Sequence, residues 1–362
     1  MATPLETPRA EAFGTCPVPQ SRYDRILLGH GSGGRLTADL IQKLFVPGFD
    51  NEVLGALEDQ ATVRLPGGDG STAPRIAFTT DSFVVRPLFF PGGDIGRLAV
   101  FGTVNDLAVG GARPLFLSAA FILEEGLPLE DLKRIVASMR DACREAGVSL
   151  VTGDTKVVDR GKGDGVFITT SGIGVVPEGR CLSIGNARPG DRILVSGTIG
   201  DHGIAIMSVR EGIEFETVLE SDCAPLTDLA RVMLETCPDI RCMRDPTRGG
   251  LSSALNELTL ASHVGVELNE VAIPIRPEVH AACEMLGLDP LYVANEGKLI
   301  AVVPPADADR LLGVMRNHRL GRNAALIGEV VAEHPGMILM RSAIGGERVV
   351  MMLAGEQLPR IC

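Results

Sequence analysis

The sequence predicts an α/β (α+β) protein of two domains. Short apolar runs that read as strands alternate with longer segments whose apolar residues recur at helical spacing. The 43 glycines supply the tight turns that such alternation needs. Two turn clusters, Pro177-Glu178-Gly179-Arg180 and Arg188-Pro189-Gly190-Asp191, bracket a boundary in a 362-residue chain long enough for two cores.

Composition narrows the function classes. A formal charge of -12 argues against a nucleic-acid partner, which needs a basic stripe, and leaves acidic groups to hold metal ions. Aromatics make up only 4% and tryptophan is absent, unlike a binder built on aromatic anchors. The eight cysteines show no CxxC pair and no zinc-like His/Cys set, so most read as small buried apolar residues. Met1–Gln20 lacks a basic segment followed by an apolar core, and no apolar run is long enough to span a bilayer. The expectation is a cytoplasmic protein in a reducing compartment, with no membrane partner.

Taken in order, residues 1–22, with several prolines, are expected to form a disordered extension. Leu28-Gly29-His30-Gly31-Ser32-Gly33-Gly34-Arg35 precedes a helical pattern of Leu36, Leu40, Ile41 and Leu44. Small residues ahead of a helix leave N–H groups open to phosphate, yet the same stretch suits a plain flexible loop, and no Walker lysine follows. Ile76–Asp81 reads as a strand ending in a carboxylate, and Asp59 precedes another short strand. Phe101–Ala112 reads as a helix with Asn105 and Asp106 inside its apolar run, where polar groups must be paired or bind something. Leu117–Phe121 is a strand, Leu129–Ala146 an amphipathic helix, Leu150–Lys156 a strand running into Asp154 and Lys156, and Val166–Val176 a further strand. Beyond the boundary come strand Arg192–Ser196, helix Ile204–Val209, helix Leu251–Ala261, strand Val266–Leu268, helix Pro277–Leu286, strand Leu299–Val303 and helix Ala306–His318.

Asp59, Asp81, Asp154 and Asp245 are each expected at a strand end or helix entrance, where loops gather in α/β folds. Carboxylates converging there repel one another unless a cation is bound, and Mg²⁺ is held by one or two carboxylates together with phosphate and water. Each Asp alone also reads as a turn or cap residue. Lys156 reads either as a phosphate-steadying cation or as a surface lysine. Glu296, in Asn295-Glu296-Gly297-Lys298, reads as a general base raised by burial or as a solvated turn. His30 and His202 are loop histidines able to contact phosphate. The chain ends on Cys362, too close to the end for a prenylation signal. Extended, residues 355–362 reach roughly 25–28 Å, enough to bring that thiol into a cleft.

Gly29–Gly34, Thr79–Ser82, Asn105–Ala112, Gly153–Val157, Arg244–Gly250, Asn295–Lys298 and the ending Pro359-Arg360-Ile361-Cys362 together resemble the HypE family of hydrogenase maturation proteins. That family sits in the ATP-binding superfamily of aminoimidazole ribonucleotide synthetase, selenophosphate synthetase and thiamine-monophosphate kinase. The ending is the HypE-specific mark, and the resemblance runs from about residue 25 to the end. It implies a PurM-like fold: an ATP-binding, dimerising domain over 23–178, a C-terminal domain over 188–345, and a flexible tail over 346–362. It also implies ATP-dependent dehydration of an S-carbamoyl group on the last cysteine to a thiocyanate, with ATP and Mg²⁺. The implied partners are the carbamoyltransferase HypF, a HypC–HypD complex and a second copy of the chain. Its implied catalytic residues are Cys362, Glu296 and Lys156, with Arg360 and Pro359 seating the tail. Nucleotide contacts fall on Gly31, Ser32, Gly33, Gly34, Asn105, Asp106, Gly153 and Asp154, and metal ligation on Asp59, Asp81 and Asp245. A selenophosphate synthetase needs a reactive residue near the N-terminus, and Cys16 stands in the wrong context. A scaffold whose tail is only a docking peptide is the non-enzymatic alternative.

Overall fold

A computed structural model describes residues 25–65, 74–213, 219–355, 358 and 360–362. The expected extension 1–22, with Cys16, and Pro359 lie outside them.

Short helices α1 (Arg35–Leu40), α2 (Val46–Phe49) and α3 (Glu52–Gly55) lead into strands β1 (Ala61–Arg64) and β2 (Arg75–Phe83). The two-residue strands β3 (Phe89–Phe90) and β4 (Gly93–Asp94) precede helix α4 (Ile95–Val109). Then follow β5 (Arg113–Glu124), α5 (Leu129–Ala146), β6 (Ser149–Val158) and β7 (Val166–Val176). The sheet order is β1-β2-β7-β5-β6. Only β5 and β6 run parallel, and α5 is the crossover that a parallel pair requires.

Sequence explains the two helices. In α5, Ile135, Met139, Ala142 and Cys143 form one buried stripe, and Gly147 at φ 71° ends the helix in the left-handed conformation that glycine adopts freely. Helix α4 has no polar face. It is buried almost throughout because the sheet lies on one side and the second domain on the other. It begins earlier than its expected start at Phe101, at Ile95, where the Asp94 carboxylate accepts from the N–H groups of Gly96 and Arg97. The opposite face of the sheet is open and carries exposed Phe78, Phe116, Ile122 and Ile173.

The second domain contains β8 (Arg192–Val195), α6 (Asp201–Glu211), α7 (Thr227–Thr236), β9 (Cys242–Arg244), α8 (Gly250–Ser262), β10 (Gly265–Asn269), α9 (Pro277–Leu286), β11 (Ile300–Val303), α10 (Pro305–Asn317), β12 (Ala325–Val331), β13 (Ile338–Arg341) and β14 (Glu347–Val349). Its sheet order is β14-β13-β10-β12-β8-β11-β9. Strand β11 is apolar at every position because both of its faces are covered. Ala301 and Val303 pack with Leu229, Met233, Leu311 and Met315 of α7 and α10. Ile300 and Val302 pack with Leu251, Leu255 and Leu258 of α8. Among the described residues no helix is long and apolar enough to cross a membrane.

The expectation of a free tail from residue 346 is corrected. Glu347–Val349 is strand β14, and Val350 and Leu353 are buried. Ile361 and Cys362 join the core of the first domain. Val84 N–H donates to Cys362 O at 3.1 Å and Arg86 N–H to Arg360 O at 3.2 Å, an antiparallel register that prolongs the end of β2.

Candidate active site

Helix α4, strand β2 and the loop after β9 converge on a group of carboxylates. Ligand oxygens of Asp59, Asp106 and Asp245 all lie within 4.8 Å of one another. Thr79 Oγ1 on β2 holds the group, 2.7 Å from Asp106 Oδ2 and 3.0 Å from the Asp59 carbonyl oxygen. Arg244 Nε lies 3.0 Å from Asp59 Oδ1, an ion pair off the angle of a hydrogen bond, while its Nη2 donates to Glu257. Burial raises Asp59 and Asp106 well above the usual carboxylate range, against the pull of Arg244 on Asp59. Asp245 is pushed up to about 6, by burial first and by Asp81 as well, with Arg244 opposing. One arginine does not neutralise this set. A hard cation fits it, because the donors are all carboxylate oxygens and their mutual repulsion is what such an ion relieves.

Beside the carboxylates is a small cavity of about 40 Å³, lined by Asp81, Asp106, Asp245, Arg248, Glu296 and Cys362 among others. Asp81 Oδ2 accepts from Thr103 Oγ1 at 3.2 Å. Cys362 and Glu296 line this cavity together, and both are buried. Burial, and then the nearby Glu296, push the thiol far up, so the docked tail carries a neutral thiol. That free thiol stands where the sulfur of a loaded cysteine would sit. Burial, with Asp222 and Asp245, raises Glu296 well above its ordinary value, and its Oε1 has no hydrogen-bond partner among the described residues. The Arg248 guanidinium faces this group, its cationic form favoured by its place beside Cys362 first and then by Asp81 and Glu296.

The main chain fixes Glu296. Its N–H donates to Asp222 Oδ1 at 3.0 Å, and Lys298 Nζ lies 3.1 Å from Asp222 Oδ2. A Cβ at Gly297 would fall 1.8 Å from the Asp222 carbonyl oxygen, so the turn admits only glycine. From α4, Asn105 Nδ2 donates to the carbonyls of Glu296 (3.2 Å) and Ala224 (3.1 Å), and its Oδ1 accepts from Leu226 N–H (2.8 Å).

Several expected site residues take other places. Asn105 spends both amide donors and its acceptor on main chain, so it clamps the two domains rather than facing phosphate. Asp106, expected at phosphate, completes the carboxylate trio, and Asp81 lines the cavity beside it. Asp154 and Lys156 are not brought to this cluster. They lie within edge strand β6, side chains 65% and 70% exposed, paired to each other at 2.8 Å. Gly153 is a sheet requirement, since a Cβ there would meet the Ala119 carbonyl oxygen at 2.3 Å. The Gly31–Gly34 turn packs on the site's back wall. Added Cβ atoms would strike Arg248 at Gly33 (2.6 Å) and Leu353 at Gly34 (2.4 Å), and Ser32 Oγ donates to Gly355 O. His30 Nδ1 accepts from Leu27 N–H, whereas His202 is buried in α6 and touches the tail. Arg248, Asp222 and Arg210 were not singled out from sequence. The Asp245-Pro246-Thr247-Arg248-Gly249-Gly250 run held the only signal, for Arg248.

The chain matches the family models "AIR synthase related protein", N-terminal domain over residues 57–176 and C-terminal domain over 188–339. It is 60% identical over 338 residues to carbamoyl dehydratase HypE of Cupriavidus necator, covering 93% of this chain and 95% of that protein. The chain belongs to the HypE family. Its fold matches a crystal structure of HypE in complex with ATP, with a TM-score of 0.77, 49% identity, and coverage of 93% of this chain and 100% of that one. A HypE–HypF complex matches with a TM-score of 0.81 and 49% identity, covering 87% and 99%. The chain therefore has the PurM-like α/β architecture expected from its motifs.

Proposed function

We propose that this chain converts an S-carbamoyl group on its own Cys362 into an S-cyanide, consuming ATP, and so supplies cyanide ligands to the iron of [NiFe] hydrogenase. The observation that carries the reading is the terminal thiol buried in one cavity with Glu296, beside a carboxylate trio.

An amide oxygen is a poor leaving group until it is phosphorylated. In the balanced step, the carbamoyl oxygen takes the γ-phosphoryl group of ATP, releasing ADP. The C–O bond then breaks and phosphate departs with that oxygen. The two nitrogen protons are lost, and carbon and nitrogen become triply bonded. Glu296 is placed to receive a nitrogen proton, since burial gives it the affinity a base needs near neutral pH. Arg248 faces the charge that develops on the oxygen. Asp59, Asp106 and Asp245 would hold Mg²⁺, with Asp81 next to them. When bound, that ion neutralises phosphate charge. The Gly31–Gly34 turn, stacked on Arg248, is the candidate phosphate-facing loop.

A buried neutral thiol is not a nucleophile, so Cys362 is loaded with the tail withdrawn. The solved HypE–HypF complex supports HypF as the loading partner, and in this reading a HypC–HypD complex receives the cyanide. The open sheet face and the exposed apolar residues of β6 fit a homodimer. Lys156 and Asp154 join the chemistry in this reading only across that interface. A reaction that consumes ATP and needs a reduced thiol belongs in the cytoplasm.

The test is Cys362→Ala. ATP binding persists and cyanide formation disappears. Maturation of hydrogenase by the alanine variant would sink the carrier reading.

A further inference from the structure

The tail is gripped from two directions, and both grips are on its main chain. On one side are the N–H groups of Val84 and Arg86, which donate to Cys362 O and Arg360 O. On the other is helix α6. His202 Nε2 lies 2.8 Å from Ile361 O, and Arg210 Nη2 donates to Arg360 O. Arg210 Nε donates to the Arg86 carbonyl at 2.5 Å, so one guanidinium ties the tail to the strand beside it. Gly203 lets α6 approach: a Cβ there would lie 2.4 Å from Val293 and 3.1 Å from Leu358 of the tail.

The hydrogen bonds fix the protonation of His202. Ile361 O only accepts, so Nε2 carries the proton. Nδ1 is then the acceptor for Ser221 Oγ at 2.8 Å, and that oxygen accepts from Cys223 N–H at 3.1 Å. The ring is buried, with the Phe90 ring edge-on at 5.6 Å. Burial lowers its basicity against the opposing pull of Asp222 and of the Ile361 carbonyl, which keeps the ring neutral. Arg210 stands near Arg86 and Arg360, whose charges Asp164 offsets.

We propose that His202 and Arg210 are positioning residues that hold the carrier tail in reacting register by its carbonyl oxygens, delivering the loaded Cys362 to Glu296. The inference rests on the carrier reading above. Because the grip is on carbonyls and not on sulfur, it serves the thiol, the thiocarbamate and the thiocyanate alike. It sets how often the tail leaves, not which group it bears.

The experiment reads withdrawal directly, through the alkylation rate of Cys362 by iodoacetamide in the full-length protein, mapped by peptide mass. Buried Cys242 and Cys283 report whether the fold is intact. Each hydrogen bond to main chain that is lost raises the open population, so His202→Phe and Arg210→Met should each speed Cys362 alkylation about tenfold or more. His202→Gln, whose amide N–H stands near the position of Nε2, should stay within about threefold of wild type. With pre-loaded protein, the first two variants should lower the single-turnover dehydration rate and leave the KM for ATP unchanged, with His202→Gln restoring the rate. Unchanged Cys362 alkylation in both variants, with Cys242 and Cys283 still protected, overturns the proposal. If His202→Phe exposes Cys242, the fold is lost and Arg210→Met, at the outer end of α6, decides. A wild type without dehydratase activity would sink the functional reading yet leave these alkylation rates unaltered.

Discussion

Cys362, the last residue of the chain, is buried with Glu296 in the lining of one small cavity between the two domains. One is the proposed carrier and the other the candidate base; burial and then Glu296 raise the proton affinity of the thiol, while burial, Asp222 and Asp245 raise that of Glu296.

Glu296→Gln should abolish dehydration and retain ATP binding. It should also change stability with pH. A carboxyl whose folded pKa is raised contributes stability that is present below its unfolded value, near 4.3, and lost as pH rises through the folded value. The glutamine variant should therefore melt about 2–4 °C above wild type at pH 8, with the gap closing toward pH 5. Calorimetry across pH checks this, and a gap independent of pH contradicts the buried-acid assignment.

The carboxylate trio makes a metal prediction. Asp245, pushed up to about 6, loses its contribution to stability as pH rises through that value, and a cation restores it by binding the ionised form. Mg²⁺ with a non-hydrolysable ATP analogue should raise the Tm more at pH 8 than at pH 5.5. Asp245→Asn should remove most of that difference, and Asp106→Asn should do the same. Thermal shift with Mg²⁺ titration reads both.

A single residue added after Cys362 should be as harmful as removing the thiol. A terminal oxygen of Cys362 accepts from Val84 N–H and the residue is buried, so a longer chain has to displace the docked end. The extended protein should alkylate at Cys362 far faster than wild type and show background turnover. Normal turnover would mean that the docked position is not the reacting one.

The β6 edge carries exposed Val151 and Val157 beside the Asp154–Lys156 pair. If a second copy covers this edge, Val157→Asp should shift the protein toward monomer in light scattering. Lys156→Ala should then cost activity without changing the Tm, since an exposed ion pair within one chain contributes only about 0–1 kcal/mol.

Much of this was legible in the residues. Periodicity gave α5 its bounds at Leu129 and Ala146, since one face alone is buried. It misplaced the start of α4, because a helix covered on all sides has no stripe to mark its ends. Strand β14 was passed over as Glu347-Arg348-Val349, a charged and exposed edge. Glu296 and Cys362 stand out in the sequence and line one cavity in the fold, but the partition of the carboxylates was not readable. Asp154 and Asp245 look equivalent in sequence, and only the sheet order places one on an open edge and the other against α4. His202 and Arg210 were hidden for a related reason: their partners are carbonyl oxygens, which leave no trace in side-chain identity.

The most direct measurement is intact mass of the purified chain incubated with HypF, carbamoyl phosphate and ATP, followed by peptide mapping. The expected result is a carbamoyl adduct on Cys362 that loses one water only when the ATP is hydrolysable. An adduct that forms and never loses water, or no adduct at Cys362, would contradict the proposed dehydration at the Cys362–Glu296 pair.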